Sequence, residues 1–340
     1  MKILLVHAWL TGNLGDLLQT YVLLKHIRSH SPTILDIAGY PKNPAKNTTL
    51  VTDLADNILY DEPAAEKLPV IGLRFSSIWQ DRRQRVRAKL YAKYDLIVSA
   101  PGPFLTMHDE RLRTALLDLK VAKAVGVPFI FSSHSIGPIN PQQANELKNA
   151  NLIVGREPES YNYLRAFDIS SVKSADFAFL FPFSDFIASS ADIRPNKTCL
   201  LFLRSNNLLD KQIIIRDEKV IVGNIEIQKH EYEEIYFATS DPKKDEKFLT
   251  RIATKLEAEI IICKSVEQLI AAVDRADLIV SDRYHPLICA AVLGKKIKAI
   301  MNQSTHKMKG IETLLSNHTM KDIQIMAETG LKSISSFLVC

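Results

Sequence analysis

The sequence predicts an α/β protein built from two Rossmann-like domains that face one another across a cleft. Short runs rich in Ile, Val, Leu and Phe alternate with longer amphipathic segments, which is typical of βα units on a parallel sheet. This alternation occurs in both halves of the chain. With 340 residues and a hydrophobic fraction of 46%, the chain is long enough to bury two cores.

The first half of the chain is predicted to form one parallel sheet. Its strands are expected near residues 3–7, 33–37, 96–100, 129–133 and 152–155, with helices notably at 16–29 and 110–125. The alternation of strand-like and helix-like segments is lost over residues 174–197, which we interpret as the connection to the next domain. The sequence therefore predicts a first domain over residues 1–180.

The second half repeats the pattern. Strands are expected near residues 198–204, 234–240, 260–263, 278–281 and 297–302. Residues 213–227 alternate β-branched and charged side chains without a helical stripe, which indicates a β excursion. We expect a second domain over residues 181–320, and a C-terminal helix within residues 321–340 that returns to the first domain.

The net charge, the apolar segments and the cysteines indicate which broad class of protein this is. The formal net charge of +5 is mild for this length and does not indicate a nucleic-acid partner. The apolar run at the start is too short for a signal peptide, and no stretch approaches eighteen consecutive apolar residues. The four cysteines have no paired spacing, which favours reduced thiols. We therefore expect a cytoplasmic protein without a transmembrane helix.

The most informative motif follows the strand-like run that ends at Ser281. Asp282-Arg283-Tyr284-His285-Pro286 stands between this strand and an apolar helix. In doubly wound domains, ligands bind at the carboxyl ends of strands and at the N-termini of the following helices. Arg283 is thus a candidate anion clamp and His285 a candidate proton donor. The alternative for His285 is a structural histidine with satisfied hydrogen bonds.

The first predicted strand is followed by Gly12-Asn13-Leu14-Gly15-Asp16, which leads directly into a helix. Gly15 would let the backbone approach a ligand closely. Asn13 would either stabilise the turn or bind a substrate hydroxyl. Asp16 would either cap the helix or present a carboxylate to the cleft. The spacing of the two glycines does not match a dinucleotide-binding fingerprint.

Other strand ends supply further candidates. Gly102 lies in a Gly/Pro loop after one strand, and Ser135 follows another. Arg156 and Arg204 each end a strand, and a guanidinium there can hold a phosphate or a carboxylate bidentately. For Arg156 an ion pair with Glu157, Glu159 or another acid is an equal alternative.

Several of these short motifs, taken in order over roughly residues 1–315, resemble the polysaccharide pyruvyl transferase family. They are residues 12–16, 101–103, 135–138, 156–160, 175–176 and 283–285. The resemblance implies a GT-B-like fold and transfer of the enolpyruvyl carbons of phosphoenolpyruvate to a sugar, usually as a cyclic ketal on two hydroxyls. It also implies a role in exopolysaccharide or capsule biosynthesis. The implied chemistry needs no metal and no nucleotide cofactor.

The resemblance also assigns roles. Asp16, Arg156 and His285 stand at family-like positions, with Arg283 as a neighbour. Because phosphoenolpyruvate carries a phosphate and a carboxylate, we expect Arg156, Arg283 and Arg204 to bind it. His285 would donate a proton or hold the phosphate, and Asp16 would accept a proton from the acceptor hydroxyl, or the two roles would be reversed.

Two other functions and one membrane contact stay open. The fold would also suit a glycosyltransferase that uses a nucleotide sugar, or a saccharide-binding relative without turnover. If the acceptor is a lipid-linked oligosaccharide, the basic run from Arg82 to Lys93 could contact anionic lipid at the inner face of the cell membrane. The alternative for this run is a solvated helix face.

Overall fold

The structure is a computed structural model. It describes residues 1–10, 13–40, 48–60, 77–105, 110–187, 197–204, 213–216, 219–223, 225–301 and 306–338. The chain divides into two compact units. Unit 1 comprises Met1–Thr11, Gln19–Phe177 and Ile325–Cys340, and unit 2 comprises Gly12–Leu18 and Ala178–Gln324. The predicted domain limits stay predictions, because compactness alone does not test independent folding.

Unit 1 is built on an eight-stranded parallel sheet in the order β3-β2-β1-β4-β6-β7-β8, with β5 paired to β6. Strand β4 lies at the centre of this order between β1 and β6, and β6 is buried along its whole length. The strands are β1 (Lys2–Trp9), β2 (Ile34–Tyr40), β3 (Asn57–Tyr60), β4 (Leu96–Ser99), β5 (Gly102–Leu105), β6 (Phe129–Ile136), β7 (Leu152–Gly155) and β8 (Val172–Lys173).

Helices connect these strands, and apolar side chains of α3 and α4 pack on the sheet in one core cluster with Leu4, Val6 and Phe131. The helices are α1 (Leu14–Ser29), α2 (Thr49–Thr52), α3 (Ser77–Tyr91), α4 (Glu110–Ala124), α5 (Pro141–Leu147) and α6 (Pro158–Ala166). The first turn of α1 belongs to unit 2 and the remainder to unit 1.

Unit 2 contains a five-stranded parallel sheet in the order β14-β13-β9-β15-β16 and a three-stranded antiparallel sheet in the order β10-β11-β12. Its strands are β9 (Thr198–Phe202), β10 (Ile213–Arg216), β11 (Lys219–Val222), β12 (Ile225–Gln228), β13 (Glu234–Thr239), β14 (Glu259–Ile262), β15 (Leu278–Ser281) and β16 (Lys296–Ala299). Its helices are α7 (Pro242–Leu256), α8 (Val266–Arg275), α9 (Tyr284–Val292) and α10 (His306–Asn317), and α11 (Met320–Ser335) continues into unit 1.

In each unit the strand order reverses direction at one point of the parallel sheet. In unit 1 this topological switch point lies between β1 and β4, and in unit 2 it lies between β9 and β15. Open α/β sheets bind ligands beyond the carboxyl ends of the strands at such a point. These two strand pairs therefore mark where functional side chains should be sought.

The structure confirms the α/β class with parallel sheets. Segment 101–105, expected as a loop, differs from the prediction, because Gly102–Leu105 is a short strand paired with β6. The β excursion is a three-stranded antiparallel sheet. Cys199, Cys263 and Cys289 are buried and free. No helix among the described residues is long and apolar enough to cross a bilayer.

Candidate functional site

Two arginines flank the switch point of unit 2. Arg204 follows β9, and Arg283 follows β15, the neighbouring strand in the sheet. The backbone N–H of Arg204 donates to Oδ1 of Asp282 at 2.9 Å, which ties the two strand ends together. The hydroxyl of Ser281 accepts a hydrogen bond from the backbone N–H of Arg283 at 2.8 Å, which fixes the turn before α9. Both arginines thus follow strand ends that hydrogen bonds hold in place.

The two guanidiniums are largely buried and electrostatically coupled. Burial lowers the pKa of Arg204, and the charge of Arg283 lowers it further, whereas Asp282, Asp245 and Asp16 raise it. One Nη of Arg283 donates to the carboxylate of Asp245, which is 1% exposed. The Nε atoms of Arg204 and Arg283 are buried and make no hydrogen bond to any other described residue. Two such donors are suited to an anion.

Asp282 interacts electrostatically with both arginines and is itself buried. Burial raises its pKa to about 6, and the charges of Arg204 and Arg283 oppose that rise without cancelling it. A carboxyl group with a pKa in this range can change protonation close to neutral pH. Asp282 is therefore a candidate for holding a proton beside the arginine pair.

His285 lies in the first turn of α9, is 6% exposed, and packs directly against Gly15. A Cβ at position 15 would overlap Nδ1 and Cγ of the imidazole, so only glycine leaves room for this ring. Tyr284 stands edge-on to the same ring, with 5.5 Å between the centroids. The imidazole is thus confined between Gly15 of the first βα turn and Tyr284 of its own helix.

Asn13 and Asp16 form a small hydrogen-bonded turn at the start of α1. Oδ1 of Asn13 accepts from the backbone N–H of Gly15 at 3.2 Å, and its Nδ2 donates to Asp16 at 2.9 Å. The backbone N–H of Leu14 donates to the carbonyl of Ser240 after β13, which anchors the turn within unit 2. The first turn of α1 therefore brings Asp16 into the same unit as Arg204, Arg283 and His285.

Arg156 lies in unit 1, fully buried in an ion-pair cluster. Its Nε donates to Glu157 at 2.9 Å, its Nη1 lies 3.2 Å from Oδ2 of Asp176, and its Nη2 donates to the hydroxyl of Ser135. Ser160 donates to the second oxygen of Glu157 at 2.7 Å. Of the two roles that the sequence left open for Arg156, ion pairing and ligand binding, these contacts show the ion pairing. Its contribution to donor binding stays a prediction.

A second buried polar chain crosses the switch point of unit 1. Nδ1 of His7 lies 2.8 Å from the hydroxyl of Ser99, which lies 2.9 Å from Nε2 of His134. Nε2 of His7 lies 2.8 Å from Asp118, which also accepts from Arg87. Although burial raises the pKa of Asp118, Arg87 and His7 lower it overall, so the carboxylate is charged and Nε2 of His7 carries a proton.

The predicted site residues divide between the two units. Unit 2 holds Asn13, Gly15, Asp16, Arg204, Arg283 and His285, whereas unit 1 holds Gly102, Ser135 and Arg156. Ser135 and Gly102 lie on strands β6 and β5 rather than in loops. No cluster of three or more His, Cys, Asp or Glu side chains within the described ranges could hold a metal ion.

Sequence reasoning missed several polar residues around these sites. Asp282 directly follows β15, so its position at a strand end was a usable signal. Asp245 lies inside the first turn of α7, and Asp118 lies within α4. Nothing in their local sequence distinguishes these two acids from surface carboxylates, because their partners are 38 and 31 residues away in the chain.

Comparisons with known proteins agree with this fold. Similar solved structures include UDP-GlcNAc 2-epimerase from Neisseria meningitidis (12% identity, TM-score 0.56, 100% of both chains covered). The UDP-N-acetylglucosamine 2-epimerase from Rickettsia bellii is another (13% identity, TM-score 0.59, 100% of this chain and 96% of that one). Alr3699/HepE from Anabaena in complex with UDP and glucose is a third (13% identity, TM-score 0.55, 99% and 95%). These likenesses show the fold alone, which is GT-B-like.

Sequence comparison gives the family. A search of curated proteins found no match. A model of the polysaccharide pyruvyl transferase family matches residues 13–303, a range that includes the first turn of α1, Arg204, Arg283 and His285. Because this match covers most of the chain, the protein belongs to the polysaccharide pyruvyl transferase family.

Proposed function

We propose that this protein transfers the enolpyruvyl group of phosphoenolpyruvate to a saccharide of a polysaccharide or lipid-linked oligosaccharide precursor, forms a pyruvate ketal and releases phosphate. The observation that supports this most is the pair Arg204 and Arg283, whose buried Nε donors flank the switch point of unit 2. Phosphoenolpyruvate is a compact dianion or trianion, and paired guanidiniums are suited to its phosphate and carboxylate. Arg156, whose guanidinium pairs with Glu157 and Asp176, keeps its predicted part in donor binding as a prediction.

The reaction needs a proton donor and a proton acceptor. Carbon C3 of phosphoenolpyruvate gains a proton, a sugar hydroxyl forms a bond to C2, and the bond from C2 to the phosphate oxygen breaks. A second hydroxyl then closes the ketal. Of the two hydroxyl protons released, one replaces the proton given to C3 and the other leaves on phosphate. His285 and Asp16 are the proposed pair for these transfers, and no metal or nucleotide cofactor takes part.

The test is phosphate release from phosphoenolpyruvate by purified enzyme with an acceptor saccharide present. His285→Ala and Asp16→Asn should each reduce the rate about 10²- to 10⁴-fold, the usual contribution of a general acid or base. Arg283→Lys should reduce it roughly ten- to hundredfold, because a point charge loses the bidentate geometry. His230→Ala, which removes an exposed imidazole of the same unit, is the matched control. Near-normal rates for the first two variants would contradict the assignment.

A comparison of phosphoenolpyruvate with UDP-sugars as donors distinguishes the proposed pyruvyl transfer from two alternative functions. A glycosyltransferase would be stabilised thermally by a UDP-sugar and not by phosphoenolpyruvate. A saccharide-binding relative without turnover would bind acceptor and release no phosphate with any donor. The Anabaena HepE structure contains UDP and glucose, but its 13% identity supports the fold only. Stabilisation by phosphoenolpyruvate together with phosphate release is the result that we expect.

We propose further that a basic face of unit 1 contacts anionic lipid when the acceptor is lipid-linked. Arg85 and Lys89 on α3 and Arg113 and Lys120 on α4 are exposed, and the intervening Val86 is 54% exposed. Arg87 instead turns inward to the buried Asp118. Each exposed cation contributes about 1 kcal/mol near an anionic surface. The alternative is a solvated helix face, whose side chains would be equally exposed, so a binding experiment has to separate the two.

Liposome cosedimentation tests this contact. Binding to vesicles that contain phosphatidylglycerol should exceed binding to phosphatidylcholine vesicles, and it should weaken in high salt because salt screens exposed charges. The double variant Arg85→Glu with Lys89→Glu should lose binding. Lys243→Glu with Lys247→Glu, an equal charge reversal with the same spacing on exposed positions of α7, should not. Equal binding to both vesicle types would overturn the proposal.

A further inference from the structure

We infer that Asp245 is the positioning residue that aims the guanidinium of Arg283 at the anionic donor. Asp245 is 1% exposed, and its carboxylate accepts a hydrogen bond from one Nη of Arg283, whose side chain is 12% exposed. This contact joins the first turn of α7 to the residue that precedes α9. The identity of the anion rests on the proposed function, whereas the contact itself does not.

The topology of unit 2 explains why a residue from α7 reaches this arginine. Strands β13 and β15 lie on either side of β9, so the helices that follow them begin at the same edge of the sheet. Asp245 lies on the helix that follows β13, and Arg283 directly follows β15. Arg204 follows β9, the strand between these two. The carboxylate therefore holds Arg283 from across the switch point.

Arg283 needs such a partner because two guanidiniums share this edge. A free arginine side chain has several rotatable bonds, and like charges favour conformations that move the two groups apart. The bond to Asp245 opposes that separation. It uses one Nη and leaves the buried Nε of Arg283 without a hydrogen-bond partner among the described residues, as is also true of Arg204. Each of these Nε–H groups is then available to a ligand.

Asp245→Asn tests the inference, because the two possible roles of the carboxylate predict opposite changes in anion affinity. If the carboxylate only opposes anion binding through its charge, the variant should bind anions more tightly. If it positions Arg283, the variant should bind them more weakly. We expect the Kd for inorganic phosphate, measured by calorimetry, to rise about tenfold. The KM for phosphoenolpyruvate should rise by a similar factor, with kcat changed less than threefold.

Asp241→Asn is the matched control. Asp241 is equally buried and stands at the same end of α7, but its carboxylate pairs with Lys244 at 3.3 Å rather than with an arginine. This variant should change the Kd for phosphate less than twofold. Thermal unfolding of both variants shows whether each is folded at the assay temperature.

A double-variant cycle separates positioning from general destabilisation. If Asp245 acts through Arg283, then Asp245→Asn should add no further loss of phosphate affinity to Arg283→Lys. Fully additive losses, or unchanged or tighter phosphate binding by Asp245→Asn, would overturn the inference. So would a wild-type protein that binds no phosphate at millimolar concentration. If the wild type binds phosphate but does not turn over phosphoenolpyruvate, the proposed function fails while the phosphate titrations still decide the role of Asp245.

Discussion

At the scale of single residues, Gly15 fixes where the imidazole of His285 can lie. A Cβ at position 15 would overlap the ring itself rather than a flexible chain end. Gly15→Ala should therefore cost about 1–3 kcal/mol of unfolding free energy through overpacking, partly offset by about 1 kcal/mol of gained helix propensity. Phosphate release should fall roughly 10²-fold because the displaced ring no longer meets the substrate. Urea unfolding and the phosphate assay check both expectations.

The double variant Gly15→Ala with His285→Ala shows whether a clash with the imidazole causes the loss of stability in Gly15→Ala. Removing the ring frees the volume that the new methyl group needs, so the double variant should be at least as stable as His285→Ala alone. Its activity should stay low, since the imidazole is gone. A Gly15→Ala protein as stable and as active as the wild type would show that the packing against His285 is not tight.

The contrast between His285 and Asp245 shows which site residues a sequence can reveal. His285 and Arg283 follow a strand with a clear apolar pattern, and the rule that ligands bind at strand ends singles them out. Asp245 gains its role from a tertiary contact with a residue 38 positions away. The burial of Arg156 with two carboxylates is likewise a property of packing, so the sequence left its ion pair and its ligand role as equal alternatives.

At the scale of elements, Gly330 determines how helix α11 packs on unit 1. A Cβ there would overlap Oγ of Ser174 and lie 3.0 Å from Cγ1 of Val154. Ser174 is fully buried, and its hydroxyl donates to the carbonyls of Ala175 and Met326 at 3.0 and 3.2 Å. Gly330→Ala should thus destabilise the protein by about 1–2 kcal/mol net, despite the better helix propensity of alanine. Urea denaturation measures the change.

The companion variant Ser174→Ala removes Oγ, the nearest of the atoms that the new methyl group would meet. Combined with Gly330→Ala, it should destabilise the protein less than the sum of the two single changes. Strict additivity would mean that the helix shifts away from the sheet instead of clashing with Ser174.

Elements with a strong local pattern were predictable, and those defined by pairing were not. The buried strands β1, β4 and β15 contain continuous apolar runs, which are typical of parallel sheets covered on both faces. Strand β5 contains Gly102 and Pro103, which favour a turn, and it exists because β6 offers it a partner. The order of strands across each sheet, and with it the two switch points, also depends on long-range pairing.

At the scale of the whole molecule, buried titratable groups couple folding to pH. Burial, together with the charges of His7 and Arg156, lowers the pKa of His134 from 6.5 to about 3. The unfolded chain therefore binds a proton between these values and the folded protein does not, so stability falls as the pH falls from about 6.5 to about 3. Asp282 acts oppositely: burial raises its pKa from 3.8 to about 6, so its contribution falls as the pH rises across that range.

His134→Asn isolates the larger of these two contributions. The variant should be less stable than the wild type at pH 7, because it loses the hydrogen bond to Ser99. Its unfolding free energy should nevertheless depend less on pH between 6.5 and 3, by up to about 1.4 kcal/mol per pH unit. Ser132→Ala, which removes the fully buried hydroxyl two residues earlier on β6 and no titratable group, should keep the wild-type slope. Urea unfolding at a series of pH values measures all three slopes, and equal slopes for His134→Asn and the wild type would mean that His134 does not control the acid sensitivity of the fold.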